Sequence, residues 1–123
     1  MSKDLYYVCS PLGAPTKEEI RANMLKARKY MEWVSKRYNC RAIAPHAILP
    51  EYLDDHNPKE RELGLKFGMD LLTICKKLIV CGNTISSGMC AEIALAKKLG
   101  IEIIYPDELK APKVTITIEI EGD

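Results

Sequence analysis

A glutamate near the start of a predicted helix is the first residue whose type and position suggest chemistry. The segment SSGMCAEIALAKKLG (86–100) is typical of a loop that runs into an amphipathic helix, and Glu92 lies four residues after Gly88. Because N–H groups and the dipole at a helix start stabilise an anion, we predict an ionised Glu92 that faces a pocket. Such a carboxylate can attack a sugar C1, where oxocarbenium-like character needs a nearby negative charge. The alternative is an ordinary solvated glutamate of the first helical turn.

Asp70 is the second acidic residue whose position needs an explanation. It lies amid Phe67, Met69 and Leu71, toward the C-terminal half of another predicted helix, where the helix dipole disfavours a carboxylate. Either Asp70 donates a proton or holds a ligand group, or it simply faces solvent.

The elements that must position these residues alternate between strand and helix along the chain. Short apolar runs bounded by turn residues predict strands, apolar residues three or four apart predict helices, and Thr16, Asn57 and Gly100 supply caps. This order is typical of an α/β fold with a mainly parallel sheet. The strictly alternating segment 113–122 predicts a C-terminal edge strand or a subunit contact. The predicted strands lie at 5–10, 40–45, 77–82 and 101–106, and the helices at about 17–38, 58–75 and 87–99.

Composition excludes several functional classes. With 123 residues, of which 47% are hydrophobic and 28% charged, the chain has the size and composition of one globular domain (1–123). A net charge of +1 indicates no nucleic-acid partner. The sequence has no run of about 18 apolar residues and no signal-peptide core, so we expect a cytoplasmic protein with no membrane partner. Five cysteines without a CxxC pair predict reduced thiols in the core rather than disulfides.

Three loops are expected to meet at one crevice, because ligands of open parallel sheets bind beyond the carboxyl ends of the strands. These loops are residues 10–13, 45–46 and 83–88. The chain has neither GxGxxG nor GxxxxGK[ST], so it lacks the phosphate cradle of dinucleotide-binding and P-loop proteins, and it has no GxSxG elbow. His46 and His56 do not have metal-ligand spacing. The sequence therefore predicts no metal site and no dinucleotide or P-loop site.

The segment 45–57 predicts a long loop of the kind that often carries function. It contains two prolines, both histidines and no clear period. Its apolar residues form a lid, fill the core or contact a second subunit, and packing is the favoured alternative. These residues are Ile48, Leu49, Tyr52 and Leu53.

The sequence also resembles a known family. The segments YVCSP, NMLKARKYMEWV, APHAILPEYLDD, PKERELGLKFGMDLL and SSGMCAEIALAKKLG together resemble the small phage and bacterial DUF4406/DUF7768-like domains, over roughly residues 4–105. Those uncharacterised domains are related to nucleoside 2-deoxyribosyltransferases and deoxynucleoside 5′-monophosphate N-glycosidases. The resemblance implies a three-layer Rossmann- or flavodoxin-like sandwich that acts without a cofactor on a small-molecule nucleoside or nucleotide. It also implies a homodimer or a higher homo-oligomer.

The resemblance implies specific roles for eight residues. Glu92 would be the nucleophile toward C1′, and Asp70 the acid that assists the departing base. The residues that would bind substrate are Tyr7, Cys9, Ser10, His46, Ser87 and Gly88.

One position departs from the pattern of the glycosidases. They place an arginine near the phosphate just after the strand 1 serine, where this chain has Pro11 and Leu12. Phosphate recognition would therefore fall to Ser10, Ser87 and helix N–H groups, or be absent. Hydrolysis, transfer to a second base, ligand binding without cleavage, and a purely structural role all stay open at this stage.

Overall fold

The described residues, 3–109, alternate between strand and helix as the sequence predicts. In this computed structural model the strands and the second helix end slightly earlier than expected. The predicted C-terminal edge strand at 113–122 lies outside the described residues. The elements in chain order are β1 (Leu5–Cys9), α1 (Lys17–Tyr38), β2 (Arg41–Ile43), α2 (Pro58–Leu72), β3 (Lys77–Val80), α3 (Ser87–Leu99) and β4 (Glu102–Ile104).

The sheet has the strand order β2-β1-β3-β4, and every neighbouring pair is parallel. The predicted α/β fold with a parallel sheet is therefore confirmed. After β1 the chain continues to β2 at one edge of the sheet, and after β3 it continues to β4 at the other edge. The carboxyl ends of β1 and β3, paired through Cys9 and Val80, consequently flank the topological switch point, where ligands bind in such sheets.

Alternate side chains of β1 divide the core into two halves. Tyr6 and Val8 pack on the side covered by α1, whose apolar stripe is buried as its helical period predicts. Tyr7 and Cys9 point to the opposite side, where Leu72 of α2 and Ile93 of α3 complete the cluster. The result is a three-layer sandwich in which the odd-numbered side chains of β1 face α2 and α3.

Local caps fix where the helices begin and end. The Thr16 and Ser86 hydroxyls accept backbone N–H bonds at the starts of α1 and α3, and Asn57 Oδ1 does the same for α2. Gly100 ends α3 with a φ of 74°, which only glycine adopts at low cost. Within residues 3–109, no helix combines the length and apolar character needed to cross a membrane.

The predicted loop 45–57 folds into two short 3₁₀ turns, Pro45–Ala47 and Leu49–Glu51. Arg28 of α1 holds both turns, because its Nε donates to Ala47 O at 2.8 Å and its Nη2 pairs with Glu51. These contacts fix the segment against the helix layer.

The apolar residues of this segment divide into two pairs. The methyl carbons of Leu49 and Leu53 lie 3.6 and 3.5 Å from the position that a Cβ at Gly64 of α2 would occupy, so these two leucines pack within the chain. Ile48 and Tyr52 are exposed. The favoured packing alternative is therefore confirmed for Leu49 and Leu53 alone.

Candidate active site

Glu92 is a buried carboxylate on the inner face of α3. Its side chain is only 4% exposed, and it shares that face with Met89, Ile93 and Ala96. The alternative of a solvated glutamate is therefore wrong. The Tyr7 hydroxyl donates a hydrogen bond to Glu92 Oε2.

The second oxygen of this carboxylate also has a donor from β1. The Cys9 thiol donates to Glu92 Oε1 at 3.3 Å. Since Tyr7 and Cys9 are two residues apart on one strand, their side chains leave the same face of the sheet and reach one carboxylate together. The structure thus brings three of the predicted site residues into direct contact.

The support of Glu92 differs from the prediction. Because α3 begins at Ser87, Glu92 is its sixth residue, and the effect of a helix dipole falls off within the first turn. The prediction that the helix start stabilises this carboxylate is therefore wrong. Burial raises the pKa of Glu92, whereas the hydrogen bonds from Tyr7 and Cys9 oppose that rise because they favour the ionised form.

Tyr7 and Cys9 keep their protons in this environment. Burial and the adjacent Glu92 raise the pKa of the Tyr7 phenol and of the Cys9 thiol far above their ordinary values. Both groups therefore remain donors, and Cys9 is a thiol rather than a reactive thiolate. The other three described buried cysteines, Cys40, Cys75 and Cys81, are also free, as predicted, and Cys90 is exposed.

Gly68 of α2 is a site residue that sequence reasoning missed. A Cβ at this position would lie 2.9 Å from Tyr7 Oη and 3.6 Å from Glu92 Oε2. Only glycine lets the α2 backbone approach the Tyr7–Glu92 pair this closely. The available signal was a glycine inside a helix, which costs about 1 kcal/mol relative to alanine and therefore indicates a packing or functional reason.

His46 approaches the same carboxylate oxygen as Tyr7. Its Nε2 is 4.0 Å from Glu92 Oε2, and its side chain is 15% exposed. Burial lowers the pKa of His46 to about 4, and of the two smaller effects the charge of Asp55 opposes this shift while that of Arg61 adds to it. The imidazole is therefore neutral at neutral pH.

Two buried polar atoms in the loops after β1 and β2 have no hydrogen-bond partner among the described residues. They are His46 Nδ1 and Ser10 Oγ, and Ser10 follows directly after β1. Unpaired buried polar atoms are uncommon in folded proteins and each needs an explanation, such as a ligand or a water molecule. Ser10 flanks the switch point of the sheet and His46 follows the edge strand β2, so both lie beyond the carboxyl ends of strands, where ligands of such sheets bind.

A cleft of about 310 Å³ opens beside His46. The three predicted loops meet there, since its lining includes Gly13, His46 and Ser87 together with Gly88. Glu92 is buried and does not line the cleft. His46 does line it, and its 4.0 Å contact with Glu92 joins the cleft to the carboxylate.

The cleft has further lining residues that sequence reasoning missed. Arg61 of α2 pairs with Asp55 through Nη1 and Oδ2 at 3.1 Å, and His56 Nε2 hydrogen-bonds Ala14 O at 2.8 Å. The sequence carries no general signal for this arrangement, because it depends on how the segment 45–57 crosses the start of α2. Both contacts hold that segment at the edge of the cleft.

Asp70 stands apart from the buried carboxylate. Its side chain is 68% exposed, and its Oδ2 lies 3.1 Å from Lys66 Nζ one turn earlier in α2. The structure therefore shows the solvent-facing aspartate that was the second of the two predicted alternatives for Asp70. The acid role that the resemblance implies for Asp70 therefore has no support from the geometry.

The buried His46 predicts a specific pH dependence of stability. Between its ordinary pKa of 6.5 and about 4, the unfolded chain binds more protons than the folded chain. The stability linked to the neutral His46 is thus full above pH 6.5 and is lost as the pH falls from there through about 4, by about 3 kcal/mol in total. His46→Gln should remove this loss.

The measurement is urea unfolding of both proteins between pH 4 and 7.5. Glu92, with its raised pKa, changes stability in the opposite direction over part of this range. The difference between wild type and His46→Gln at each pH reports the titration of the histidine together with its effect on the neighbouring Glu92. A difference that does not vary with pH would contradict the neutral, buried imidazole.

Comparison with known proteins agrees with the family resemblance. A family model described as a domain of unknown function, DUF7768, matches residues 4–106. No curated protein matches the chain. A solved structure of a 2-deoxyribosyltransferase from the psychrotolerant bacterium Bacillus psychrosaccharolyticus is similar, with a TM-score of 0.55 and 15% identity over 80% of this chain and 69% of that one. At this identity the likeness shows a shared fold, whereas the match of the family model covers most of the sequence. The chain therefore belongs to the DUF7768 family.

Proposed function

We propose that this protein cleaves or transfers the N-glycosidic bond of a nucleoside or nucleotide, with Glu92 as the nucleophile. The observation that carries the proposal is a buried carboxylate with a hydrogen-bond donor on each oxygen, next to a cleft at the switch point of the sheet. The fold shared with a 2-deoxyribosyltransferase supports the same chemistry. Kinship with DUF4406 domains and with the glycosidases is part of this proposal.

In the proposed reaction, one Glu92 oxygen bonds to C1′ while the bond from C1′ to the base nitrogen breaks. The electron pair leaves with the base, which takes a proton from water. Water or a second base then attacks C1′ and gives up one proton to the hydroxide left by the first step, which frees the carboxylate and gives hydrolysis or transfer respectively. Tyr7 and Cys9 hold the carboxylate in place through both steps.

The surrounding residues are assigned to substrate binding. His46, Ser87 and Gly88 line the cleft, and the unpaired Ser10 Oγ lies at the end of β1. Because Asp70 faces solvent and pairs with Lys66, we assign it no part in this chemistry. The reaction needs no cofactor.

The proposal extends to the assembly of the protein. We propose a cytoplasmic homo-oligomer of one-domain subunits (1–123), as the resemblance implies. Exposed apolar side chains on and just after α2 are consistent with a subunit contact. They are Leu63, Phe67 and Ile74.

Binding without cleavage is the second candidate function. It is favoured by the burial of Glu92, which is 4% exposed and does not line the cleft, so a substrate would have to displace part of the wall to reach it. A sensor or sequestering protein would use the same cleft and leave its ligand intact.

A product assay distinguishes the two candidates. The wild-type protein is incubated with nucleosides, deoxynucleoside monophosphates and dinucleotides, and free base is measured by chromatography. The same compounds are tested as ligands by thermal shift. Base released with at least one substrate supports the enzyme, whereas a raised melting temperature without released base supports the binding protein.

Tyr7→Phe should change the pH dependence of that reaction. The variant removes the hydroxyl that donates to Glu92 Oε2, so the pKa of the buried carboxylate should rise further. Losing one hydrogen bond to a charged group predicts a roughly 10–100-fold lower kcat at neutral pH, with little change in KM.

The check is a pH profile of kcat. For Tyr7→Phe the acid limb of the profile should move to higher pH. An unchanged acid limb together with a lower kcat would mean that Tyr7 acts in some way other than through the ionisation of Glu92.

A further inference from the structure

The cleft beside Glu92 contains an arginine with unused donors. Arg61 comes from the first turns of α2, and its side chain is 41% exposed. A guanidinium has five N–H donors. Within residues 3–109, the Arg61 guanidinium makes one hydrogen bond, which Nη1 donates to Asp55 Oδ2. Most of its donors are therefore available to a ligand in the cleft.

Other residues of the cleft lining offer groups that suit an anion. Ser86, Ser87 and Gly88 all line it, and Ser87 and Gly88 are the first two residues of α3, whose N–H groups have no carbonyl one turn earlier to bond. A Cβ at Gly88 would have only Ser86 Oγ within 4 Å, so the backbone there is open to a close approach.

A third observation indicates that the cleft is built for a ligand. His46 lines the cleft, and its buried Nδ1 has no partner among residues 3–109. The His46 imidazole is neutral at neutral pH and adds no charge to the cleft. The charged residues of the described lining include one cation, Arg61, and one anion, Asp55. A cavity of about 310 Å³ lies at the lower end of the range for small-molecule sites.

We infer that this cleft binds a phosphate monoester group of the substrate, with Arg61 as its principal contact. A phosphate monoester has three terminal oxygens pointing in different directions, which suits a lining that combines a guanidinium with a hydroxyl and backbone N–H groups. The inference rests on the proposed function, because it makes that substrate a nucleotide rather than a nucleoside. Arg61 thus supplies from α2 the charge that is missing after β1.

Asp55 gives this inference a directional test. Its carboxylate, 15% exposed and 3.1 Å from the guanidinium, positions Arg61 but also repels an incoming phosphate. Loss of either charge breaks the same ion pair. If the pair only stabilises the fold, the loss of Arg61 and the loss of Asp55 change the affinity for a phosphate ligand in the same direction. At an anion site the two losses change that affinity in opposite directions.

The experiment compares a nucleoside with its 5′-monophosphate by isothermal titration calorimetry. The proteins are wild type, Arg61→Gln, Asp55→Asn and the control Lys66→Gln, which removes a cation from the exposed face of the same helix. Arg61→Gln should bind the monophosphate 10–100-fold more weakly and the nucleoside unchanged. Asp55→Asn should bind the monophosphate several-fold more tightly, and Lys66→Gln should match wild type.

Two further measurements complete the test. Inorganic phosphate should compete with the monophosphate in wild type and not in Arg61→Gln, which separates recognition of the phosphate group from recognition of the nucleoside. Thermal melts check folding, and Arg61→Lys, which keeps the charge but loses the fork, should bind the monophosphate with intermediate affinity.

The inference is overturned if Arg61→Gln and Asp55→Asn weaken the two ligands equally, or if wild type does not prefer the monophosphate. These results are independent of catalysis. Arg61-dependent binding without released base would retain the phosphate site and reject the enzyme. If base is released at the same rate with and without Arg61, and from the nucleoside as from the monophosphate, the enzyme is retained and the phosphate site is rejected.

Discussion

Replacing Glu92 with glutamine should abolish base release while leaving the protein folded and able to bind its ligand. Glutamine has the same shape but cannot form the ester with C1′, so kcat should fall by roughly 10³-fold or more. The Tyr7 hydroxyl can rotate to suit the new amide, which limits the structural cost of the change.

The experiment measures free base and ligand affinity for the wild type and for Glu92→Gln in parallel. Asp70→Asn is the matched control, since it also removes one carboxylate but from an exposed position that pairs with Lys66. It should retain wild-type turnover. Wild-type rates in Glu92→Gln would remove Glu92 from the chemistry, and a collapse of activity in Asp70→Asn would restore the acid role that the geometry does not support.

Gly68→Ala should have an effect on kcat as large as that of Tyr7→Phe, although it adds only one carbon. The new Cβ would lie 2.9 Å from Tyr7 Oη, closer than real Cβ contacts. Tyr7 is fully buried, so either α2 moves away from the sheet or the hydroxyl loses its bond to Glu92. We expect kcat to fall about 10–100-fold, as expected for the loss of a hydrogen bond to a charged group.

Stability gives a second readout for this variant. Alanine gains about 1 kcal/mol in helix propensity over glycine, while overpacking costs about 1–3 kcal/mol, so Gly68→Ala should be neutral to moderately destabilised. Gly64→Ala is the control in the same helix, because its Cβ would make ordinary contacts of 3.5 and 3.6 Å with Leu53 and Leu49. It should be as stable as wild type or more so, with unchanged turnover. Equal behaviour of the two variants would contradict the close approach at Gly68.

The fold could be predicted because its signals are local. Apolar runs, the caps at Thr16 and Asn57 and the glycine at position 100 depend on neighbours in sequence, and the structure places the elements near the predicted bounds. Parallel pairing then follows from the alternation of strand and helix. This reasoning also predicted that the loops after three strands would meet at one cleft.

The site could be predicted only in part, because it depends on which helix faces pack inward. In α2, Gly68 and Leu72 are buried and one turn apart, so Asp70, two residues from each, projects from the opposite face. In α3 the inward face includes Glu92. Hydrogen bonds from β1 stabilise its carboxylate, in place of the helix start that the sequence predicted. The close approach of Gly68 to Tyr7 and the position of Arg61 depend on where α2 crosses the sheet. No short-range sequence pattern predicts that crossing point.

The most direct test of the central claim is to trap the sugar on the enzyme. A 2′-fluoro nucleoside or nucleotide slows breakdown of the proposed glycosyl ester, because the fluorine destabilises the oxocarbenium-like transition state. Intact-mass analysis followed by peptide mapping then locates the added mass. We predict one added fluoro-sugar per chain on the carboxylate of Glu92, and none in Glu92→Gln. Base release by wild type with no adduct, or with an adduct on any other residue, would contradict Glu92 as the nucleophile.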